Sequence, residues 1–149
     1  MYKTLPILLL VVLFSNEQLE DERILNYKVD IEVLDDGRLY VIEEITILGQ
    51  GEKFKRGISR NVPTYYPNKS GGFNEVEMMI DEILRNGKPE FHQIVKKSKA
   101  KVMYIGQASV FLSPGEHTYT IKFWLSDQIS FFQDYDELYY NVIGYGWEF

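Results

Sequence analysis

The sequence YKVDIEVLDDGRLYVIEEITIL, residues 27–48, carries the clearest structural signal in the chain. Apolar and polar residues alternate through its first half and again through its second half, and a period of two is typical of half-buried β-strands. The Asp35-Asp36-Gly37 sequence between the halves is a turn signal. The sequence therefore predicts two antiparallel strands joined in a hairpin.

The apolar residues also predict the register of this hairpin. A two-residue turn at 36–37 would place Val33 opposite Tyr40 and would separate the apolar faces of the two strands. A three-residue loop with Gly37 in the left-handed conformation places Val33 opposite Leu39. Only this second register keeps one apolar face, because side chains alternate between the two faces of a sheet. It also pairs Ile31 with Val41 and Tyr27 with Ile45.

Glu43 does not fit that apolar face, because it falls between Val41 and Ile45. Two interpretations are open. The side chain lies near the rim of the sheet and reaches water, or it is a partly buried carboxylate that needs a cationic partner. The second interpretation requires the partner because an unpaired buried charge is costly.

The rest of the chain predicts further strands. Aromatic residues make up 15% of the sequence, and aromatic and β-branched residues favour strands over helices. Residues 74–85 fit both a helix and a strand, and their all-β surroundings favour the strand. Other strand-like segments are 100–106, 117–126 and 138–142, the last reaching into the core. The predicted fold is an all-β, antiparallel β-sandwich.

Residues 49–73 are predicted to form a long loop, since glycines and prolines interrupt them repeatedly. Arg56 and Arg60 lie inside this loop. The planar fork of an arginine suits bidentate binding of a carboxylate, and we expect such a pair to hold the loop against the sheet. The candidate carboxylates are those of Glu43, Asp136 and Glu137.

Residues 1–18 are predicted to be a secretory signal peptide or a short membrane anchor. Lys3 supplies a positive start, and the apolar run at 5–14 is shorter than the roughly 20 residues that a spanning helix needs. No pair of small residues marks a cleavage site before Glu17, so both alternatives stay open. Residues 22–149 are then expected to form one domain outside the cytoplasm, membrane-associated or secreted.

Composition excludes several functions. The net charge of −6 argues against a nucleic-acid partner. There is no cysteine, which excludes disulfides, thiolate metal sites and cysteine nucleophiles. His92 and His117 show no spacing typical of a metal site or a catalytic triad. We expect no enzymatic activity, no metal and no cofactor, although the acids at 134–137 are a weaker candidate for a cation site.

Aromatic residues in the predicted loops offer an alternative function. Such residues can form platforms for sugars or peptides, and they can equally cap the open end of a sandwich. They are Tyr65, Tyr66, Phe131, Phe132, Tyr135, Tyr139, Tyr145 and Trp147.

Two motifs resemble a known family. The sequence RGISRNVP at 56–63 is similar to the RGI-R-IP motif of the YciQ-like family of predicted bacterial membrane proteins. The sequence DELYYNVIG at 136–144, followed by Trp147, resembles that family's DELYWNVTG and its trailing Trp. The resemblance covers residues 24–149.

The resemblance implies a signal peptide, an extracytoplasmic β-sandwich domain without an assigned function, and then transmembrane helices. Similar proteins continue beyond the point that corresponds to Phe149, so we expect the sandwich to lack its last strands. No catalytic residue is implied. We therefore expect a non-enzymatic extracytoplasmic domain of a membrane-associated protein, with an interaction or envelope role and an unidentified protein or envelope partner. The alternative is a carbohydrate- or peptide-binding module that uses the loop aromatics. The structural or interaction candidates are Arg56, Arg60, Glu43, Asp136, Glu137 and Trp147.

Overall fold

The computed structural model describes residues 21–67, 71–138 and 140–143. Within these ranges the chain forms β-strands and no helix, so the prediction of an all-β fold is confirmed. The strands are β1 (Arg23–Val33), β2 (Leu39–Gly49), β3 (Ile58–Pro63), β4 (Tyr65–Pro67), β5 (Phe73–Glu75), β6 (Met78–Arg85), β7 (Lys88–Pro89), β8 (His92–Lys96), β9 (Ala100–Ile105), β10 (Gly115–Leu125), β11 (Ile129–Phe131) and β12 (Asp136–Leu138).

The predicted hairpin forms one side of the larger sheet, whose strand order is β1-β2-β10-β6-β7. Its register is the one that keeps a single apolar face, with Val33 opposite Leu39, and Gly37 has a positive φ of 80°. The pairs Ile31–Val41 and Tyr27–Ile45 are also as predicted. Strand β10 lies against β2 along its whole length and joins the hairpin to β6.

A second sheet has the order β3-β9-β8. Its first strand, β3, corrects the prediction that 49–73 is a loop without regular structure. Ile58, Arg60 and Val62 alternate with less buried residues and face the interior. Gly57 and Pro63 bound this strand instead of interrupting it, which is why breaker content alone gave the wrong result. Residues 65–67 and 73–75 form a further small hairpin.

One cluster of buried apolar side chains draws on both sheets. This shared core is what face-to-face packing of two sheets would bury, but the sandwich arrangement itself stays a prediction. The cluster consists of Leu39, Val41, Ile45, Ile47, Phe54, Ile58, Val62, Val76, Met78, Ile83, Met103, Ile105, Leu112, Tyr119, Ile121, Phe123 and Leu125.

The remaining strand predictions have mixed outcomes. The strand interpretation of 74–85 is confirmed by β5 and β6. The predicted core strand at 138–142 is correct only for Tyr140, which packs against the core cluster. Leu138 ends β12 with an exposed side chain, and Val142 is also exposed. Strand β12 pairs with β11, in a separate two-stranded sheet. The predicted signal or anchor segment at 1–18 lies outside the described residues.

Candidate interaction site

An open groove with a volume of about 720 Å³ lies over the outer face of the β3-β9-β8 sheet. Its floor contains Ser59, Tyr104 and Gln93, which occupy one row across the three strands. All three side chains are exposed, whereas their neighbours in β3 and β9 are buried. Strand alternation therefore turns these polar groups toward solvent and leaves the core beneath them apolar.

One wall of the groove is basic. Lys53, Lys55 and Arg56 all line it, from the connection between β2 and β3. The chain as a whole carries a charge of −6, so this concentration of cations is local. Cations that line a concave surface attract an anionic partner more strongly than scattered surface charges do.

The carboxylate of Glu22 fixes the backbone of this basic wall. It accepts hydrogen bonds from the backbone N–H groups of Gln50, Glu52, Lys53 and Phe54, in the first part of the β2–β3 connection. Burial alone would raise the pKa of Glu22, but these four donors outweigh it and lower the pKa to about 2. The side chain is therefore ionised at neutral pH and holds the loop that carries the cations.

Two further segments border the groove: Phe91 of the β7–β8 connection lines it, and Phe111 of the 107–112 loop lies beside it, next to Arg56. The backbone N–H of Gly106 donates to the carbonyl of Phe91 at 2.8 Å, and the N–H of Leu112 donates to the carbonyl of Lys55 at 2.9 Å. The first bond joins the β7–β8 connection to the end of β9, and the second joins the 107–112 loop to the basic wall. The guanidinium carbon of Arg56 lies 4.4 Å from the ring centroid of Phe111, a cation–π distance.

Two glycines allow the backbones to meet below the groove. A Cβ at Gly57 would lie 1.8 Å from the carbonyl oxygen of Ile105, and a Cβ at Gly106 would lie 1.9 Å from that of Arg56. Both glycines also have positive φ, 140° and 128°. No other residue fits such a crossing without displacing backbone, so Gly57 determines where Arg56 leaves the sheet and where β3 begins.

A buried ion pair lies on the opposite side of β3. Arg60 Nε donates to Glu43 Oε2 at 2.7 Å, and Arg60 Nη2 donates to Glu43 Oε1 at 2.6 Å. Both side chains are 0% exposed. Arg60 also donates to the carbonyls of Asn61 and Val142, at 2.6 and 3.2 Å. The rim interpretation of Glu43 is therefore wrong, and the interpretation with a cationic partner is confirmed.

Two tyrosines complete the surroundings of this pair. The hydroxyl of Tyr140 donates to Glu43 Oε1 at 3.2 Å. Burial, and then the charge of Glu43, raise the pKa of Tyr27 and of Tyr140 well above the ordinary value. Burial would lower the pKa of Arg60, but hydrogen bonds and charge from Glu43 raise it above the ordinary value. Arg60 therefore stays charged at neutral pH, and both phenols stay neutral.

The family model described as "Predicted membrane protein (DUF2207) N-terminal domain" matches residues 23–149. The chain belongs to this family. It is also 26% identical, over 129 residues, to the uncharacterized protein YciQ of Escherichia coli (strain K12). That match covers 87% of this chain and 20% of the relative, so the chain spans about a fifth of the relative's length. No solved structure matches.

Membership of the DUF2207 family confirms the resemblance and supports membrane association. The part of the chain that the structure describes contains no helix with the length and apolarity needed to cross a membrane. The relative is itself uncharacterized, so the groove and the ion pair have to be interpreted from their own chemistry.

The structure separates the predicted site residues of this DUF2207 domain. Arg60 and Glu43 come together in the core, whereas Arg56 faces the groove. Asp136 and Glu137 are exposed on β12, and the carboxylate that Arg60 binds is that of Glu43. Trp147 lies outside the described residues.

The acidic residues near the end of this DUF2207 domain do not form a cation site. No group of three or more metal-ligating side chains converges anywhere in residues 21–67, 71–138 and 140–143. The acids at 134, 136 and 137 are therefore neighbours in sequence without a common centre.

The sequence interpretation missed the groove. Its one local signal is the run Lys53-Phe54-Lys55-Arg56, which places three cations within four residues of an acidic chain. The aromatic partners Phe91 and Phe111 lie in separate, distant segments, and no periodicity relates them to that run.

Proposed function

We propose that this chain is a non-enzymatic, extracytoplasmic interaction domain of a membrane-associated protein and that it binds an anionic partner through the groove. The observation that carries the proposal is the convergence of Lys53, Lys55 and Arg56 with exposed aromatic rings in one concavity. Arginine and aromatic residues dominate the binding energy of many interfaces. Complementary charge adds specificity and speeds association.

The rigidity of the groove supports a binding role. Glu22 holds the loop at 50–54, and the bond from Leu112 to Lys55 holds the loop at 107–112. A preorganised surface loses less conformational entropy when it binds. The cations therefore need little rearrangement to meet a partner.

The chemistry of the lining supports the absence of catalysis. The described residues that line the groove include lysines, one arginine, polar side chains and aromatic rings, but no carboxylate and no imidazole. General acid–base catalysis most often uses those missing groups. The lining is suited to holding an anion by charge and hydrogen bonds.

The extracytoplasmic location and the sandwich arrangement belong to the same proposal. The predicted signal or anchor segment at 1–18 supports export, and family membership supports a nearby membrane. The core shared by the two sheets supports a sandwich.

The test uses a soluble anion. A fluorescein-labelled glutamate heptapeptide is titrated with the full chain at low salt, and binding is followed by fluorescence anisotropy. The groove variant carries Lys53→Gln, Lys55→Gln and Arg56→Gln. We expect the wild-type chain to bind with an affinity that salt weakens, and the groove variant to bind at least about tenfold more weakly.

A matched control separates local charge from net charge. The control variant carries Lys96→Gln, Lys97→Gln and Lys99→Gln, at the β8–β9 turn, and loses the same three charges. We expect it to bind as the wild type does. Equal weakening in both variants would overturn the proposed function, as would a wild-type chain that binds neither this peptide nor vesicles of anionic lipid.

Carbohydrate binding through loop aromatics is the second candidate. Phe132 and Tyr135 stack with their centroids 4.6 Å apart and an interplanar angle of 15°, and both rings are exposed. Tyr65 and Phe73 form a second exposed stacked pair, 5.4 Å apart. The two rings of each pair stack face to face, whereas a sugar-binding platform places its rings side by side. Retardation of the chain in a gel containing hydroxyethylcellulose, abolished by Tyr135→Ala, would favour this candidate over the groove.

A further inference from the structure

We propose that the groove and the apolar loop beside it form a docking surface for the anionic headgroups of a phospholipid membrane. This inference rests on the proposed function, since it names the partner of the same groove. The proposed partner is a lipid surface, and the experiments below distinguish it from a soluble acidic molecule.

Exposed apolar side chains lie next to the cations. Phe111 is 65% exposed, Phe91 61% and Val110 43%. Large apolar groups that project into water together are a feature of surfaces that meet another molecule. Aromatic and aliphatic side chains next to lysines and arginines are typical of proteins that lie in the membrane interface.

The contact between Arg56 and Phe111 fits this environment. With 4.4 Å between the guanidinium carbon and the ring centroid, a ring that enters the boundary between headgroups and acyl chains brings the guanidinium to the level of the phosphates. The planar fork of arginine can bind phosphate oxygens in a bidentate manner. Lys53 and Lys55 supply further positive charge along the same wall.

The floor of the groove is suited to a headgroup. The hydroxyls of Ser59 and Tyr104 and the amide of Gln93 face the groove and can donate hydrogen bonds. Gly57 and Gly106 add no side chains there, and the open volume of about 720 Å³ can hold a polar headgroup.

Charge and exposed apolar side chains together favour one orientation. The chain carries −6 overall, so an anionic membrane attracts its local clusters of cations, and the cluster at the groove has the exposed rings of Phe91 and Phe111 beside it. Family membership supports the presence of a membrane near this domain. A membrane interface accounts together for the cations and for the exposed apolar side chains of Phe91, Val110 and Phe111.

A single-cysteine reporter tests the contact. The chain has no cysteine, so Val110→Cys can be labelled at one position with the environment-sensitive dye NBD in the full chain. Vesicles contain phosphatidylcholine alone, or phosphatidylcholine with about a third phosphatidylglycerol as the anionic lipid. We expect a blue shift and an intensity increase only with the anionic vesicles.

A second reporter at Ser98→Cys provides the spatial control. Ser98 lies in the turn of the β8–β9 hairpin, at the end opposite the groove, beside Lys97 and Lys99. We expect no blue shift there. Binding of the apolar segment 5–14 to lipid would tether both labelled chains in the same way, so the difference between the two reporters measures local contact.

The groove variant and the control variant measure how much the three cations contribute to vesicle affinity. A lysine or arginine near an anionic membrane strengthens binding by about fivefold, so the groove variant is expected to lose roughly 100-fold in vesicle affinity, read from the dye at position 110. The control variant, with the same change in net charge, is expected to keep the wild-type affinity.

Each contrary outcome has a distinct meaning. A dye response at 98 instead of 110, or none at 110, would overturn the membrane proposal. If the heptapeptide still binds through the groove, the proposed function stands and the partner is a soluble acidic molecule. If neither anion binds, both proposals fail.

Discussion

Replacing Arg60 with methionine tests the reasoning about the buried ion pair. Arg60→Met removes both hydrogen bonds to Glu43 and leaves that carboxylate at 0% exposure without a counter-ion. It also removes the bonds to the carbonyls of Asn61 and Val142. The apolar stem keeps part of the packing, so the main loss is the charge partner.

The expected cost follows from the burial. Removing one partner of a fully buried pair costs about 3–5 kcal/mol, because the other charge remains desolvated. For a domain of this size each kcal/mol changes the melting temperature by roughly 3–5 °C. We therefore expect Arg60→Met to lower the melting temperature by about 10–20 °C.

Urea and thermal unfolding, followed by circular dichroism, measure this cost. Arg56→Met is the matched control, because Arg56 is exposed and faces the groove. Surface changes of this kind usually alter the free energy of unfolding by about 0.5 kcal/mol or less. The control also tests whether the two arginines have the separate roles that the structure gives them.

The double variant Glu43→Met/Arg60→Met distinguishes charge from packing. It leaves no buried charge, and apolar replacement of a whole ion pair is often neutral. We expect it to be more stable than Arg60→Met by about 2 kcal/mol or more, despite the second substitution. A double variant less stable than the single one, or a single variant within about 1 kcal/mol of wild type, would refute the reasoning.

Three further predictions concern the carboxylate of Glu22, the close backbone approach at Gly57 and the phenol of Tyr140. Glu22→Gln should lower the free energy of unfolding by up to about 3 kcal/mol at pH 7. Because folding lowers the pKa of Glu22 from 4.5 to about 2, this difference should be full above pH 4.5 and shrink as the pH falls toward 2. Urea titrations at several pH values measure the difference, and a constant value would mean that the backbone hydrogen bonds to Glu22 do not matter. Gly57→Ala should destabilise the fold by more than about 3 kcal/mol, because its Cβ would meet the backbone of Ile105. Gly51→Ala, at a φ of 86° with open space around it, should cost about 1 kcal/mol. Equal melting temperatures for the two variants would contradict the close backbone approach at Gly57. Tyr140→Phe should cost about 1 kcal/mol at pH 7, and because folding raises the pKa of Tyr140 above 10, wild type should lose stability above pH 10 more steeply than the variant in alkaline unfolding curves.

Local rules were sufficient for the hairpin. The register of β1 and β2 follows from alternation and from one glycine, and both are properties of adjacent residues. The same alternation identified Glu43 as a misfit, and arginine chemistry identified Arg60 as a partner. The choice of Glu43 over Asp136 and Glu137 depends on which carboxylate is buried, and burial is set by how the sheets meet.

The groove depends on contacts that no local pattern encodes. Its walls come from the β2–β3 connection, the β7–β8 connection and the 107–112 loop, joined by backbone hydrogen bonds. Breaker content hides strand β3, because Gly57 and Pro63 bound this strand and do not interrupt it. Apolar residues predict a core strand at 138–142, and Tyr140 does pack against the core, but β12 pairs with β11 and presents its side chains to solvent.

The central claim is that the basic and aromatic groove is the binding surface of this domain. Two-dimensional ¹H–¹⁵N NMR of the full chain, titrated with the glutamate heptapeptide, tests it residue by residue. We expect the largest chemical-shift changes to fall on 53–59 and 104–107 and to disappear in the groove variant. Changes centred on 96–101, or changes that persist in the groove variant, would contradict it.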